Sequence, residues 1–231
     1  MKLYKYDKFL ESNEDIHSIC KKYGIEDYTV NEDGSIDVEG SVYLSNRNLT
    51  KLPLKFNHVS GGFYCTHNEL TTLEGSPKSV GGGFFCSDNK LTTLEGSPQL
   101  VSGNFSCGFN QLTTLEGSPK SVGGGFYCYN NKLETLEGSP QSVGGFDFYN
   151  NQLTDFIGFP EFWEGYVDFG YNTVYKILKL FPEDKRCKAI YWINEYEVIQ
   201  GKNIILPRLE EVFEQLKLEV PDIINIEGYE I

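Results

Sequence analysis

The sequence predicts an α/β repeat protein, a solenoid of about seven rungs of 21 residues each whose strands form a parallel sheet. Four cysteines recur at a spacing of 21 residues, each with a phenylalanine two residues before it, an asparagine three residues after it and a leucine five residues after it. The motif "FxC" points its first and last side chains to one face of a strand. A period of about 20–30 residues is typical of solenoids, because one repeat is too small to bury its own apolar face.

The regular repeats share four registers and a "LEGSP" tail. The cysteine register is Cys65, Cys86, Cys107 and Cys128; the phenylalanine register is Phe63, Phe84, Phe105 and Phe126; the asparagine register is Asn68, Asn89, Asn110 and Asn131; the leucine register is Leu70, Leu91, Leu112 and Leu133. Imperfect copies extend the array at both ends, as solenoid capping requires. "VYLSNRNLTKLP" has Arg47 in the asparagine register, "FDFYNNQLTDF" follows a glycine run shortened by one residue, and "VDFGYNTV" keeps Asn172.

The segments that flank the array predict caps at 1–40 and 175–231, with the solenoid at 41–174. At the start we expect a helix over residues 14–23, ended by Gly24, and a hairpin around Asp33-Gly34. After the array, "VYKILKLF" and "KAIYWINEY" have helical spacing. A hairpin around Gln200-Gly201 and a helix that begins near Pro207 complete the prediction.

The repeat resembles the leucine-rich repeat, whose pattern LxxLxLxxNxL corresponds here to GxxFxCxxNxL over roughly residues 36–174. The resemblance implies a curved solenoid with a parallel sheet on its concave side and an asparagine ladder that bonds backbone groups of neighbouring turns. Arg47 departs from that ladder. The layout is also similar to short leucine-rich-repeat proteins of unknown function encoded by tailed bacteriophages, which implies the host bacterial cytoplasm as the compartment.

The composition excludes several classes of function. A formal net charge of −13 and a sequence pI near 4.7 argue against a nucleic acid or an anionic membrane as partner, because phosphate binding needs clustered lysine and arginine. No apolar stretch approaches the ~20 residues of a membrane span. The first residues are charged throughout, so we expect no secretory signal, a cytoplasmic protein and six cysteines present as thiols.

Neither the cysteine row nor a recurring glutamate predicts a metal site or a catalytic site. Metal-binding cysteines usually occur as close pairs, and a buried cysteine behaves as a small apolar residue. Glu74, Glu95, Glu116 and Glu137 recur in register, which is typical of a solvated face. Cys187 lies between cations, but a catalytic thiol needs a positioned histidine. We therefore expect no cofactor and no enzymatic activity.

Aromatic and acidic residues recur at strand positions that point away from the core. The candidate partner-binding residues are Tyr43, Tyr64, Phe85, Asp88, Phe109, Tyr127, Tyr129, Asp147, Tyr149, Asp168 and Tyr171. Exposed aromatics in a contiguous row mark interaction surfaces, and the preceding glycine runs leave one flank of that surface bare. The sequence thus predicts a non-catalytic protein that binds a protein or peptide. A protein that binds a sugar or a nucleotide-like signal is the alternative, and a structural virion component is a third interpretation.

Overall fold

The computed structural model describes residues 15–160, 162–163, 165–222 and 225–231, with only the backbone described at 162–163. It is a parallel-sheet β-solenoid of about six turns with few helices. Each turn contributes one short strand to each of two sheets, and the described residues between 36 and 174 form strands and turns without an α-helix. The predicted α/β repeat is therefore a β-solenoid, and the prediction of one parallel sheet missed the second.

We call the first sheet the Phe–Cys sheet, because its strands carry the repeated phenylalanine and lead into the cysteine register. Its seven strands are β3 (Val42–Tyr43), β5 (Phe63–Tyr64), β7 (Phe84–Phe85), β9 (Phe105–Ser106), β11 (Gly125–Tyr127), β13 (Gly145–Asp147) and β15 (Val167–Asp168). All pair in parallel, so Phe63, Phe84 and Phe105 occupy equivalent positions in successive turns. The shortened glycine run keeps this register, since Phe126 pairs with Phe146.

The second sheet, the Val sheet, uses the "SV" pair that precedes each glycine run. Its strands are β1 (Tyr28–Val30), β2 (Ile36–Val38), β4 (Phe56–Val59), β6 (Ser79–Val80), β8 (Leu100–Val101) and β10 (Ser121–Val122), and β12 (Ser142–Val143) and β14 (Phe162–Trp163) form a further parallel pair. The predicted hairpin around Asp33-Gly34 is confirmed as β1–β2, which starts this sheet by parallel pairing of β2 with β4.

The glycine run forms the corner between the two sheets, where neighbouring turns touch through their backbones. A Cβ atom built on Gly81 would lie 2.2 Å from the carbonyl oxygen of Ser60, and one on Gly123 would lie 2.2 Å from that of Ser102. Any side chain there would push the turns apart and break bonds such as Gly81 N–H to Val59 O, 2.9 Å. Close backbone approach thus explains these glycines.

The asparagine register forms the ladder that the resemblance implied. Asn110 Oδ1 accepts a hydrogen bond from the Leu91 amide at 3.0 Å, while Nδ2 donates to the carbonyl oxygens of Cys86 and Cys107 at 3.1 and 3.0 Å. The same pattern recurs at Asn89, Asn131, Asn151 and Asn172. In the first turn Asn68 Oδ1 accepts from the amides of Arg47 and Leu49, so this turn forms although it lacks its own asparagine.

The core is a set of side-chain columns running along the solenoid axis. The rings of Phe63, Phe84, Phe105 and Phe126 stack at centroid distances of 5.3–5.4 Å. All four residues of the cysteine register are fully buried beside them, as the alternation of "FxC" predicted. This apolar cluster extends without interruption from Ile16 to Tyr229, so the flanking segments share one core with the turns.

Helices and a hairpin flank the turns. Residues 15–23 are helical (α1), and Gly24 follows with φ +66°; residue 14 of the predicted helix lies outside the described residues. After the array come α2 (Tyr175–Leu178), α3 (Glu183–Glu195), β16 (Ile199–Gln200), β17 (Asn203–Ile204) and α4 (Leu206–Gln215). These elements lie where the sequence predicted them, and their role as caps stays a prediction. In the part of the chain described, no helix has the length and apolar character needed to cross a membrane.

Candidate functional site

The candidate site is the outward face of the Phe–Cys sheet, opposite the phenylalanine column. Strand pairing aligns one outward side chain from each turn, in the order Tyr43, Tyr64, Phe85, Ser106, Tyr127, Asp147 and Asp168. The phenylalanine before each of the first six is buried or, in the first turn, is replaced by the buried Val42. The predicted register is therefore confirmed, and these side chains lie on the surface side of the sheet.

An aromatic stack covers the N-terminal half of this face. The rings of Tyr43 and Tyr64 lie 5.1 Å apart and those of Tyr64 and Phe85 lie 5.0 Å apart, with interplanar angles of 10° and 6°. Tyr43 is 64% exposed, while Tyr64 and Phe85 are half-buried. A ladder of parallel rings in adjacent strands is favourable in itself, so part of this row stabilises the sheet.

Outward rings cover the last glycine of a glycine run, on the flank that we expected to be bare. A Cβ atom on Gly62 would lie 2.8 Å from the ring of Tyr64, and one on Gly83 would lie 2.5 Å from the ring of Phe85. Tyr127 lies over Gly125 in the same way, at 2.4 Å. The expectation of a bare flank is therefore wrong at these three glycines, because each ring folds back onto the backbone two residues earlier in its own turn.

A second aromatic pair, Phe109 and Tyr129, lies in the middle of the face. Their rings meet edge to face at 5.5 Å. Tyr129 lies over Gly108 of the preceding turn, where a Cβ atom would come within 2.7 Å of its ring. Ser106 is buried although its register points outward, and its hydroxyl hydrogen-bonds that of Ser87 at 2.8 Å. Tyr129 thus leans toward the N-terminal end of the solenoid, while Phe109 remains 51% exposed.

The third pair, Tyr149 and Tyr171, leans the other way. Their ring centroids are 5.0 Å apart, and a Cβ atom on Gly170 of the following turn would lie 3.0 Å from the ring of Tyr149. Tyr171 is 75% exposed and Tyr149 is 36% exposed. Tyr129 and Tyr149 thus belong to adjacent turns and lean apart, and Asp147 lies two residues before Tyr149 on the same face of the sheet.

One backbone position in every turn has left-handed geometry. The residue two after the cysteine register has φ between 52° and 58° after all seven strands of the Phe–Cys sheet, at Asn46, His67, Asp88, Phe109, Asn130, Asn150 and Tyr171. Asparagine and aspartate tolerate this region, whereas bulky residues are disfavoured there. Phe109 and Tyr171 therefore occupy strained positions that neighbouring turns give to asparagine. The recurrence of Asn, Asp and His at this register was the signal from which the turn could have been predicted.

Two aspartates stand side by side in the C-terminal half of the face. Asp147 and Asp168 are partners in the strand register. Asp147 Oδ1 accepts from the Tyr149 amide at 3.0 Å; Asp168 accepts from the Gly170 amide and, through Oδ2, from the Tyr166 hydroxyl at 2.7 Å. Burial, followed by the charge of Asp168, raises the pKa of Asp147. The hydrogen bond to Asp168 raises the pKa of Tyr166 to about 12.

The other candidate residues have structural surroundings. Burial raises the pKa of the Cys86, Cys107 and Cys128 thiols well above its usual range, which keeps them protonated and unreactive. The recurring glutamates are exposed, and their amides donate to threonines of the same turns, as Glu74 does to Thr72. Among the residues described, no group of three or more His, Cys, Asp or Glu side chains is placed to hold a metal ion.

A groove that the sequence did not predict lies where the last turn meets α3. It has a volume of about 330 Å³ and is lined by Tyr166, Asp168, Tyr175, Glu183, Arg186 and Cys187, together with apolar residues. Arg186 Nε donates to the carbonyl oxygens of Leu178 and Phe181 at 3.2 and 3.3 Å, so this guanidinium fixes the helix junction. The lining residues come from β15 and the residues beside it, from α2 and from α3, and the groove depends on how these elements pack, which no pattern within one element could predict.

Comparison with protein-family models, with curated proteins and with solved structures finds no match to this chain. The solenoid architecture and the physical chemistry of the outward face are therefore the basis for a function.

Proposed function

We propose that the chain is a non-catalytic binding protein whose outward Phe–Cys face receives a protein or peptide partner. Tyrosine and phenylalanine supply large contact areas at low entropic cost, and they are enriched at the centres of protein interfaces. The face combines exposed rings with aspartates at its C-terminal half. These are the features of an interaction surface with an apolar centre and polar contacts around it.

The observation that carries the proposal is the strain at Phe109 and Tyr171. Both residues expose half or more of an aromatic side chain and both have a left-handed backbone, at φ 52° and 58°. Neither property helps folding, since asparagine occupies the same position at Asn130 and Asn150. Strained residues that the fold does not require are a basis for a hypothesis of function, and here they are aromatic groups presented to solvent.

We also propose a family and an origin for this chain. The GxxFxCxxNxL motif and the asparagine ladder support a relation to leucine-rich-repeat proteins, a class built around extended binding surfaces. The similarity to short phage-encoded proteins of that class makes a host or phage protein the partner that we propose. The bacterial cytoplasm would then be the compartment.

Affinity capture with matched variants tests the proposal. The parent chain and a double variant, Phe109→Asn with Tyr171→Asn, serve as baits. The double variant lacks two exposed rings, and asparagine tolerates the left-handed backbone at both positions. The control carries Leu100→Asn, because Leu100 is 56% exposed but lies on the Val sheet, away from this face. We expect the double variant to lose partners that the parent and the Leu100→Asn control both retain.

Two further results would decide against the proposal. If the double variant, correctly folded by its melting curve, captured everything that the parent captures, the outward face would not be the binding surface. Loss of capture by the Leu100→Asn control alone would move the surface to the Val sheet. The triple variant Tyr64→Ala, Phe85→Ala, Tyr127→Ala would test the face less specifically, since these half-buried rings also cover glycine backbone and their loss could destabilise the sheet.

Small-ligand binding is the second candidate, supported by the 330 Å³ groove beside Asp168. Its size is that of a small-molecule pocket, and Tyr166, Asp168 and Glu183 supply polar groups for a sugar. Thermal shift measurements with a panel of sugars and nucleotides test this alternative. Stabilisation that disappears in Glu183→Gln, with partner capture unaffected, would favour it.

A further inference from the structure

We propose that the opening between Tyr129 and Tyr149 binds the cationic end of a lysine or arginine side chain in a basic segment of the partner. This inference rests on the proposed function, since it names the chemistry of the partner that the outward face receives. Three features support it: the two tyrosine rings lean apart, the Asp147 carboxylate near them has no ion-pair partner among the described residues, and the surrounding charge is negative.

The walls of the opening are aromatic. Tyr129 leans over Gly108 and contacts Phe109, whereas Tyr149 leans over Gly170 and contacts Tyr171. Adjacent strands of a sheet are about 4.8 Å apart. Two rings that lean toward opposite ends of the solenoid therefore leave a gap between them that is wider than this strand spacing. On one side this gap is closed by the hydrogen bond from Asn150 Nδ2 to Asn130 Oδ1, 2.6 Å.

The floor of the opening is a carboxylate with a free oxygen. Asp147 belongs to the same turn as Tyr149 and uses Oδ1 to accept from the Tyr149 amide. Among the described residues, none donates a hydrogen bond to its Oδ2, and none forms an ion pair with Asp147 or Asp168. A half-buried carboxylate beside aromatic rings is a strong acceptor for a charged donor, because water competes less there.

The surrounding charge favours a cation. Burial, followed by the carboxylates of Asp147 and Asp88, raises the pKa of Tyr129. Burial, followed by Tyr171 and then by the carboxylates of Asp168 and Asp147, raises the pKa of Tyr149. Arg186, a cation that lines the neighbouring groove, is engaged by backbone carbonyls. A chain of net charge −13 also attracts basic partners over longer distances.

The chemistry of this opening selects among partner groups. An ammonium or guanidinium ion can donate to Asp147 Oδ2 while it contacts the faces of Tyr129 and Tyr149, which combines a charge-assisted hydrogen bond with cation–π attraction. An acidic or phosphorylated side chain would face two uncompensated carboxylates. A purely apolar side chain would bury Asp147 without a partner, which is unfavourable.

Fluorescence anisotropy with labelled peptides tests the inference. The probes are peptides in which glycine alternates with lysine, arginine, acetyl-lysine or glutamate. We expect the lysine and arginine peptides to bind and the acetyl-lysine and glutamate peptides to bind at least about tenfold more weakly, as for the loss of one charge-assisted hydrogen bond. Asp147→Asn should weaken the basic peptides about tenfold, whereas Glu116→Gln, an exposed carboxylate elsewhere on the solenoid, should not.

The possible outcomes separate this inference from the proposed function. Equal binding of lysine and acetyl-lysine peptides, or no binding of either basic peptide at millimolar concentration, would overturn the inference. So would basic-peptide binding that Asp147→Asn leaves intact and Glu116→Gln weakens, since a diffuse negative field would then be responsible. If these failures accompany partner capture that still depends on Phe109 and Tyr171, the proposed function survives and only the cationic partner is excluded.

Discussion

Replacing Asn110 with alanine should destabilise the solenoid by about 3 kcal/mol, a value that follows from its hydrogen bonds to the Leu91 amide and to the carbonyl oxygens of Cys86 and Cys107. The Leu91 amide would lose the acceptor that Asn110 Oδ1 provides, and an unsatisfied buried donor costs about 1–3 kcal/mol. The carbonyl oxygens of Cys86 and Cys107 would each keep one donor, from Asn89 and Asn131 respectively. Each of these lost bonds therefore costs only about 0.5–1 kcal/mol.

Urea denaturation of the parent, Asn110→Ala and Gln111→Ala measures this effect. Gln111 is the exposed neighbour, so its replacement should change the free energy of unfolding by no more than about 0.5 kcal/mol. If Asn110→Ala lowered the free energy of unfolding by less than about 1 kcal/mol, water or a shifted backbone would be replacing the amide. The ladder would then not be the main device that satisfies the corner, contrary to the geometry described above.

Three further predictions concern the core, the strained turn and the paired aspartates. Cys86→Ala should lower the free energy of unfolding by about 1–2 kcal/mol, as for a small fully buried side chain, and metal analysis should find the same content in parent and variant. Tyr171→Asn should raise the melting temperature, since a left-handed bulky residue costs about 1–2 kcal/mol; the reciprocal Asn150→Tyr should lower it, and equal melting temperatures would exclude strain at this turn. The raised pKa of Asp147 implies that its contribution to stability falls as pH rises from the unfolded-state pKa through the folded-state pKa. Asp147→Asn should accordingly gain stability relative to the parent at pH 7 but not at pH 3, measured by urea denaturation at both pH values.

The repeat registers were predictable because each carries a distinct chemical signal. Spacing aligned the cysteines and phenylalanines, alternation separated the buried Phe84 from the outward Phe85, and turn residues located both hairpins. The Val sheet was missed because each of its strands contributes only two residues in most turns, too few for a visible alternation. Its existence depends on hydrogen bonds between residues 21 positions apart, such as those that pair Val80 with Val101.

The outward face could be predicted as a set of residues but not as a surface. The lean of Tyr129 toward Gly108 and of Tyr149 toward Gly170 depends on which neighbouring turn carries glycine after the cysteine register. Within a single turn, this glycine resembles an ordinary loop residue. Comparison of neighbouring turns shows that its position determines where each ring can lie, and therefore where the proposed opening above Asp147 forms.

The two halves of the solenoid differ in backbone strain and in the arrangement of their aromatic rings. In the N-terminal half, the left-handed position holds Asn46, His67 and Asp88, and the aromatic rings stack in parallel over glycine backbone, as stability alone would favour. From the fourth turn onward, two of the four left-handed positions are aromatic, the rings pair edge to face and two aspartates interrupt the stack. The aromatic residues at left-handed positions and the half-buried Asp147 cost stability at sites where a residue already used in another turn would be better. Since the repeat offers that better sequence, selection for folding does not account for these residues, whereas the partner that we propose for the C-terminal half would.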